Sequence, residues 1–233
     1  MSKKRELGEN TLYTFANYIW WFLLGNFYFL LTNIPFIFVI FSMQLSGIYN
    51  MNLVFILSLL PIGPSLTALF SVMGKLTREG DINVTKDFFK AYRVNFLDSL
   101  FFWSIEVIIL AIAFIDIIIF NNNPKLYFLK IIPVIISVLG SALALYIFPI
   151  ISRFYLKRKD IFRLSLMYLL KNIHICLITF AAIFVLWIIF TKINGAIPVL
   201  FSSSIICYIV MFLEKNMFQD IERKVKNTDH SVE

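Results

Sequence analysis

Six long apolar runs constrain this chain more than any other feature. They cover residues 19–41, 51–74, 99–120, 131–152, 173–191 and 193–213, and hold no lysine or arginine and only two carboxylates, Glu106 and Asp116. Each is long enough for the ~20 residues that a helix needs to cross the hydrocarbon core of a bilayer. Backbone polar groups find no water there, so each must be paired inside its own segment or inside a closed barrel. A barrel strand would alternate apolar and polar residues over about ten positions, and these runs do not alternate. With 60% hydrophobic and only 15% charged residues, against about 25% charged in soluble domains, the apolar surface exceeds what a core in water can hide. The expectation is an all-α polytopic membrane protein. It has about six transmembrane helices in a single integral membrane domain spanning 1–233, with a tail from about 214.

Charge placement gives the orientation. One side receives Lys3, Lys4 and Arg5 of the N-terminal tail, five cations between Lys75 and Arg93, six between Arg153 and Lys171, and Lys215, Arg223, Lys224 and Lys226 of the C-terminal tail. Of the 21 lysines and arginines, only Lys125, Lys130 and Lys192 fall on the other side. Such asymmetry puts both termini in the cytoplasm. It also accounts for the net charge of +7 without nucleic acid, because cations beside the spans meet anionic headgroups. The basic start MSKKRELGEN leads into an apolar run too long for a signal-peptide core and lacking a small-residue cleavage site, so it reads as a retained first span. Cys176 and Cys207 lie inside apolar runs, the setting of buried reduced thiols.

The two basic loops on that side look alike. TREGDINVTK opens the first, and Phe88, Phe89, Tyr92 and Phe96 then recur at helical spacing opposite Lys86, Asp87, Lys90 and Arg93. Thr85 or Asn83 is placed to cap that segment. YLKRKD opens the second, in which Ile161, Leu164, Tyr168 and Leu169 form the apolar side after Asp160. Both predict cytoplasmic amphipathic helices on the inner leaflet, running unbroken into the next span. Two helix–basic loop–helix units of the same orientation hint at a parallel internal repeat.

Few residues in the spans carry chemistry. An ionisable group at membrane depth costs about 2.5–3.5 kcal/mol, which makes Glu106 and Asp116 candidates for a proton or cation pathway. Ten residues separate them, about 80° around the helix and about 15 Å along it, so they cannot form a dyad. The competing role is structural, a neutral Glu106 bonded to a neighbour and an Asp116 reaching interfacial water. His174 stands at the start of the fifth span and the other histidine, His230, in the tail, too few ligands for a metal centre. Asn26 and Asn33 share a face of the first span and suit helix–helix bonding, with Pro35 just beyond to kink it. In LLPIGPSLTALF, Pro61 and Pro64 remove backbone donors and Gly63 permits a bend. A break there needs protein or a wet cavity beside it. No phosphate loop, nucleophile elbow, zinc-protease helix or CxxC is present, so no enzyme activity and no cofactor is expected.

Three stretches together resemble the YesL-like bacterial membrane proteins, a family of unknown function. These are Asn26 through Asn33 and Pro35, then LLPIGPSLTALF, then KLTREGDINVTKDFFKAYRVNF with Gly80, Asp81, Asp87, Phe88, Phe89, Tyr92 and Asn95. The likeness covers about residues 20–105 and is topological beyond. It implies a Gram-positive cell membrane and, because such proteins are often encoded beside carbohydrate ABC importers, a part in sugar uptake or its control. The leading expectation is therefore a non-catalytic accessory whose Lys86, Phe88, Phe89, Lys90, Tyr92 and Arg93 meet lipid, ABC transporter subunits or a second copy of the chain. The alternative is a small-solute transporter using the kinked second span and Glu106.

Overall fold

The computed structural model describes residues 9–47, 52–123, 125–192 and 197–229. They form eleven α-helices and one 3-10 turn, with no strand among the described residues. The helices are α1 (Glu9–Thr32), α2 (Ile34–Ser46), α3 (Leu53–Ser58), α4 (Ile62–Glu79), α5 (Val84–Val94), α6 (Phe96–Asn122), α7 (Ile131–Arg153), α8 (Arg158–Lys171), α9 (Ile173–Lys192), α10 (Ile197–Leu213) and α11 (Lys215–Asp229). Four segments are long and apolar enough to cross a membrane: Leu53–Glu79, Phe96–Asn122, Tyr127–Arg153 and Ile173–Lys192. The number rises to six if each of two bent pairs counts as one span. Large apolar side chains such as Phe38, Leu139 and Trp187 stand exposed along α2, α7 and α9. A surface of that kind suits lipid rather than water.

The first expected span is not one helix. It breaks at Asn33, and the two halves meet at 71°. Pro35 lies in the first turn of α2, where its missing N–H costs nothing, whereas in a continuous helix its ring would strike the Leu31 carbonyl. The second span breaks at 59–61, between α3 and α4. Pro61 caps α4 and Pro64 falls in its first turn, so both occupy positions whose N–H groups have no partner within the helix. The Leu59 carbonyl at the break accepts from the Trp103 indole at 2.7 Å. A protein side chain thus supplies a donor at this interruption.

α4 is the central helix, packed against α1, α5, α6, α7 and α10. The core gathers at the basic end of the bundle, where Phe88, Tyr146, Phe148, Tyr168 and Phe218 are fully buried. Asn83 caps α5 by accepting from the Lys86 N–H, while Thr85 instead meets the Tyr28 hydroxyl at 2.8 Å. The two amphipathic helices do not run unbroken into the following spans. α5 ends at Asn95 and α8 at Asn172, each a single residue before the next helix. The units α4–α5–α6 and α7–α8–α9 thus share one order of elements. Arg158 joins them by an ion pair to Asp98 at 2.8 Å and by lying over the Phe101 ring.

The expected tail is a third amphipathic helix. α10 bends by 51° into α11, which buries Met217, Phe218 and Ile221 in the core. Arg153 holds it by two bonds to Glu222, at 2.7 and 3.2 Å, and sits over the Phe218 ring. Glu214, at the bend, is 1% exposed, and its Oε2 has no hydrogen-bond partner among the described residues. Cys176 and Cys207 are buried free thiols, as their apolar surroundings predict.

Candidate functional site

Glu106 lies buried at mid-length of α6 and faces α7. The Ser141 hydroxyl donates to its Oε1 at 3.4 Å, a long and weak bond. Gly140 makes room for the carboxyl, since a Cβ at that position would stand 2.9 Å from Oε2. The group opens on a cavity of about 170 Å³ between α4, α6 and α7, walled by Leu66, Phe70, Trp103, Leu110 and Phe148. A second cavity of about 480 Å³ shares Trp103 and Leu110 and continues between Phe55, Ile56 and Ile117. Glu106 and Ser141 are the hydrogen-bonding groups of the first, because the Trp103 N–H is already held by Leu59. A hydroxyl-rich solute needs several fixed polar partners, and these walls do not supply them. Asp116, further along α6, is half-buried, and His174 is exposed in the first turn of α9.

The other residues expected in a binding site do not join Glu106. Asn26 is fully buried against α10. Its amide donates to the Val199 carbonyl at 2.6 Å and its oxygen accepts from the Ser203 N–H at 3.2 Å. Those two backbone groups are four residues apart, so the side chain inserts into one rung of the α10 ladder. Asn33 faces α4, donating to Ser65 Oγ and the Phe29 carbonyl, both at 2.7 Å. Its Oδ1 is buried without a partner among the described residues. Gly63 is pressed against Trp103, and Pro61 and Pro64 start α4. These residues join helices; Glu106 alone of the group lines the small cavity.

At the basic end, α5 departs from expectation in one respect. Phe88 is 0% exposed and cannot touch a partner or lipid. Its ring packs on Tyr28 and Phe89, 5.8 and 5.6 Å between centroids, because the apolar stripe of the helix is turned onto α1 and α4. Phe89 and Tyr92 are half-buried on the same core, and burial raises the Tyr92 phenol above its ordinary pKa. Lys75 clamps Asp87 at 2.9 Å. Lys86, Lys90 and Arg93 remain exposed. α5 is therefore a docked ridge that presents cations, rather than an amphipathic helix free to lie on a surface.

Sequence reasoning missed the Arg153–Glu222 and Lys171–Asp220 pairs, the latter at 3.1 Å. The spacing of Met217, Phe218 and Ile221 against Asp220, Glu222 and Arg223 allows a helix there but does not show the groove that receives it. Among the described residues no group of three His, Cys, Asp or Glu is placed to hold a metal ion. His230 lies outside the described residues.

A family model described as "Protein of unknown function, DUF624" matches residues 13–117. The chain is also 27% identical over 147 residues to the uncharacterized protein YteU of Bacillus subtilis. That match covers 62% of this chain and 66% of YteU, just under two thirds of the relative's length. No solved structure matches. The matched region runs from α1 through most of α6 and contains the Asn33 break, the Pro61–Pro64 helix start, the docked α5 and Glu106. Over residues 13–117, a little under half of the chain, the sequence is similar to the DUF624 family, whose function is unknown.

Proposed function

We propose that this chain is a non-catalytic, multi-pass accessory of a bacterial carbohydrate uptake system of the ABC type, acting through its basic end on the cytoplasmic side of the cell membrane. The observation that carries the reading is the docking of α5. Phe88, Val84 and Ala91 are buried on one side, so Lys86, Lys90 and Arg93 are held in fixed register on the other. A rigid ridge of cations loses little entropy on binding, and charge complementarity then selects an acidic partner surface. The asymmetry of lysine and arginine supports placing this end in the cytoplasm, and the resemblance to YesL-like proteins supports the sugar-uptake setting.

Reversing Lys86, Lys90 and Arg93 to glutamate tests it. The three residues make no ion pair among the described residues, so folding is expected to be retained. Partner affinity is expected to fall about 10–100-fold, the scale of about 1.4 to 2.8 kcal/mol for several interfacial charges, with slower growth on the imported sugar. Unchanged capture and growth would remove the reading.

Glu106 and its cavity favour a second reading, a small-solute transporter. It expects Glu106→Gln to abolish substrate-dependent flux in proteoliposomes, since the uncharged isostere keeps the shape and removes the titrating group. Full retention of flux would count against it. The apolar walls make it the weaker of the two for a sugar.

A further inference from the structure

A polar cleft of about 260 Å³ opens at the basic end between the last turns of α4, the outer half of α5 and the end of α7. Its charge is not balanced. Both carboxylates in its wall, Asp87 and Glu79, are committed to Lys75, at 2.9 and 3.7 Å. Arg78 on α4 and Lys90 on α5 line the same cleft and have no carboxylate within ion-pair distance among the described residues.

The floor of the cleft is built from groups that still lack partners. Asn95, the hinge residue between α5 and α6, is 8% exposed. Its side chain makes no capping bond and no other hydrogen bond among the described residues, although it lines the cleft. The amide is not sealed from solvent, so it is available to a group that enters the cleft. The Ser71 hydroxyl, on the neighbouring wall, is likewise unbonded among the described residues.

We infer that this cleft binds a phosphate group, with Arg78 and Lys90 supplying charge and the Asn95 amide and Ser71 hydroxyl supplying hydrogen bonds. The donors converge from α4, α5 and the hinge, and a tetrahedral anion with several acceptor oxygens can take bonds from all three directions. A planar carboxylate offers two oxygens in one plane. A guanidinium beside an ammonium is a recurrent pairing for phosphate. The phosphate belongs either to an anionic lipid headgroup, reached because the cleft lies where the spans end, or to a soluble phosphate ester. The inference does not rest on the uptake role proposed above.

The test uses the full chain, purified in mild detergent and stripped of lipid. Native mass spectrometry reads binding of phosphatidylglycerol against an uncharged diacylglycerol, and thermal melting reads stabilisation by glycerol 3-phosphate against glycerol. Arg78→Gln and Lys90→Gln are compared with the wild type and with Lys125→Gln, a charge-matched control at the opposite end. Preferential binding of phosphatidylglycerol that falls about tenfold in both cleft variants and not in Lys125→Gln assigns a lipid headgroup. The same loss for glycerol 3-phosphate assigns a soluble ester. Lys90 is exposed, so its variant keeps the test readable should Arg78→Gln fold poorly. Failure of the wild type to bind either probe, or equal binding by the cleft variants and the control, overturns the inference.

Discussion

Truncating Phe88 to alanine is expected to cost about 3–5 kcal/mol, the scale for deleting a buried aromatic ring. Phe88 is 0% exposed and sits among Tyr28, Phe89 and Tyr92. Two polar ties would remain, Thr85 to Tyr28 and Lys75 to Asp87. The ion pair is partly solvated, and such pairs hold about 1 kcal/mol or less, too little to keep α5 in place. The expected result is a melting temperature lowered by several degrees and rapid proteolysis in the 80–83 loop. Phe89→Ala should do less, because that ring is only half-buried. Wild-type protease resistance in Phe88→Ala would contradict the docking of α5, and with it the fixed geometry of Lys86, Lys90 and Arg93.

The second large effect is expected at Gly63. A Cβ there would lie 2.3 Å from the Trp103 Cβ, 2.6 Å from its Cγ and 3.1 Å from the Ser99 carbonyl. None of these is the loose end of a flexible chain, so α4 and α6 would have to separate. Trp103 would be moved with them, and its bond to the Leu59 carbonyl would be lost. Overpacking of this kind costs about 1–3 kcal/mol, and an indole N–H left without its acceptor adds to it, while the Leu59 carbonyl keeps its bond from the Ile62 N–H. Gly74→Ala is the informative control. Its Cβ would also come within 2.3 Å of a neighbour, but that neighbour is the terminal methyl of Met211, which can rotate away. Thermal unfolding in detergent should therefore show a substantial loss for Gly63→Ala and a small one for Gly74→Ala. Equal losses would mean that the α4–α6 seam is not as tight as described.

These residues also show how far the sequence could be read. The helical class followed from chain chemistry alone, because apolar runs almost free of charge leave the backbone no other way to satisfy its bonds. The caps and breaks were legible in part. Pro35, Pro61 and Pro64 marked where a helix could not continue, but whether a proline kinks a helix or starts a new one depends on where the preceding carbonyls find donors. Here Trp103, 44 residues from Leu59 in sequence, supplies one of them. No local pattern encodes that.

The same limit explains the assignment of Phe88. Its spacing showed an apolar stripe on α5, and periodicity cannot distinguish a stripe facing lipid from one facing α1 and α4. α11 was hidden for a related reason. It contains only a few apolar residues among many charges, a pattern that reads as a solvated tail until a groove beside Phe154 and Arg153 is known to receive Phe218. Glu106 stood out as an isolated carboxyl, and the structure buries it. The apolar character of its cavity required the packing of three helices that are distant in sequence.

The most direct test of the proposed uptake role is photocrosslinking from Arg93 in the native membrane, followed by purification of the tagged chain in mild detergent and mass spectrometry of what is joined to it. A crosslinkable residue at 93 projects from the exposed face of α5 without disturbing the Phe88 contacts. Crosslinks to permease or ATPase subunits of a carbohydrate importer, lost when Lys86 and Lys90 are reversed to glutamate, are the predicted result. Recovery of the chain without any transporter subunit, in cells growing on the imported sugar, would contradict it.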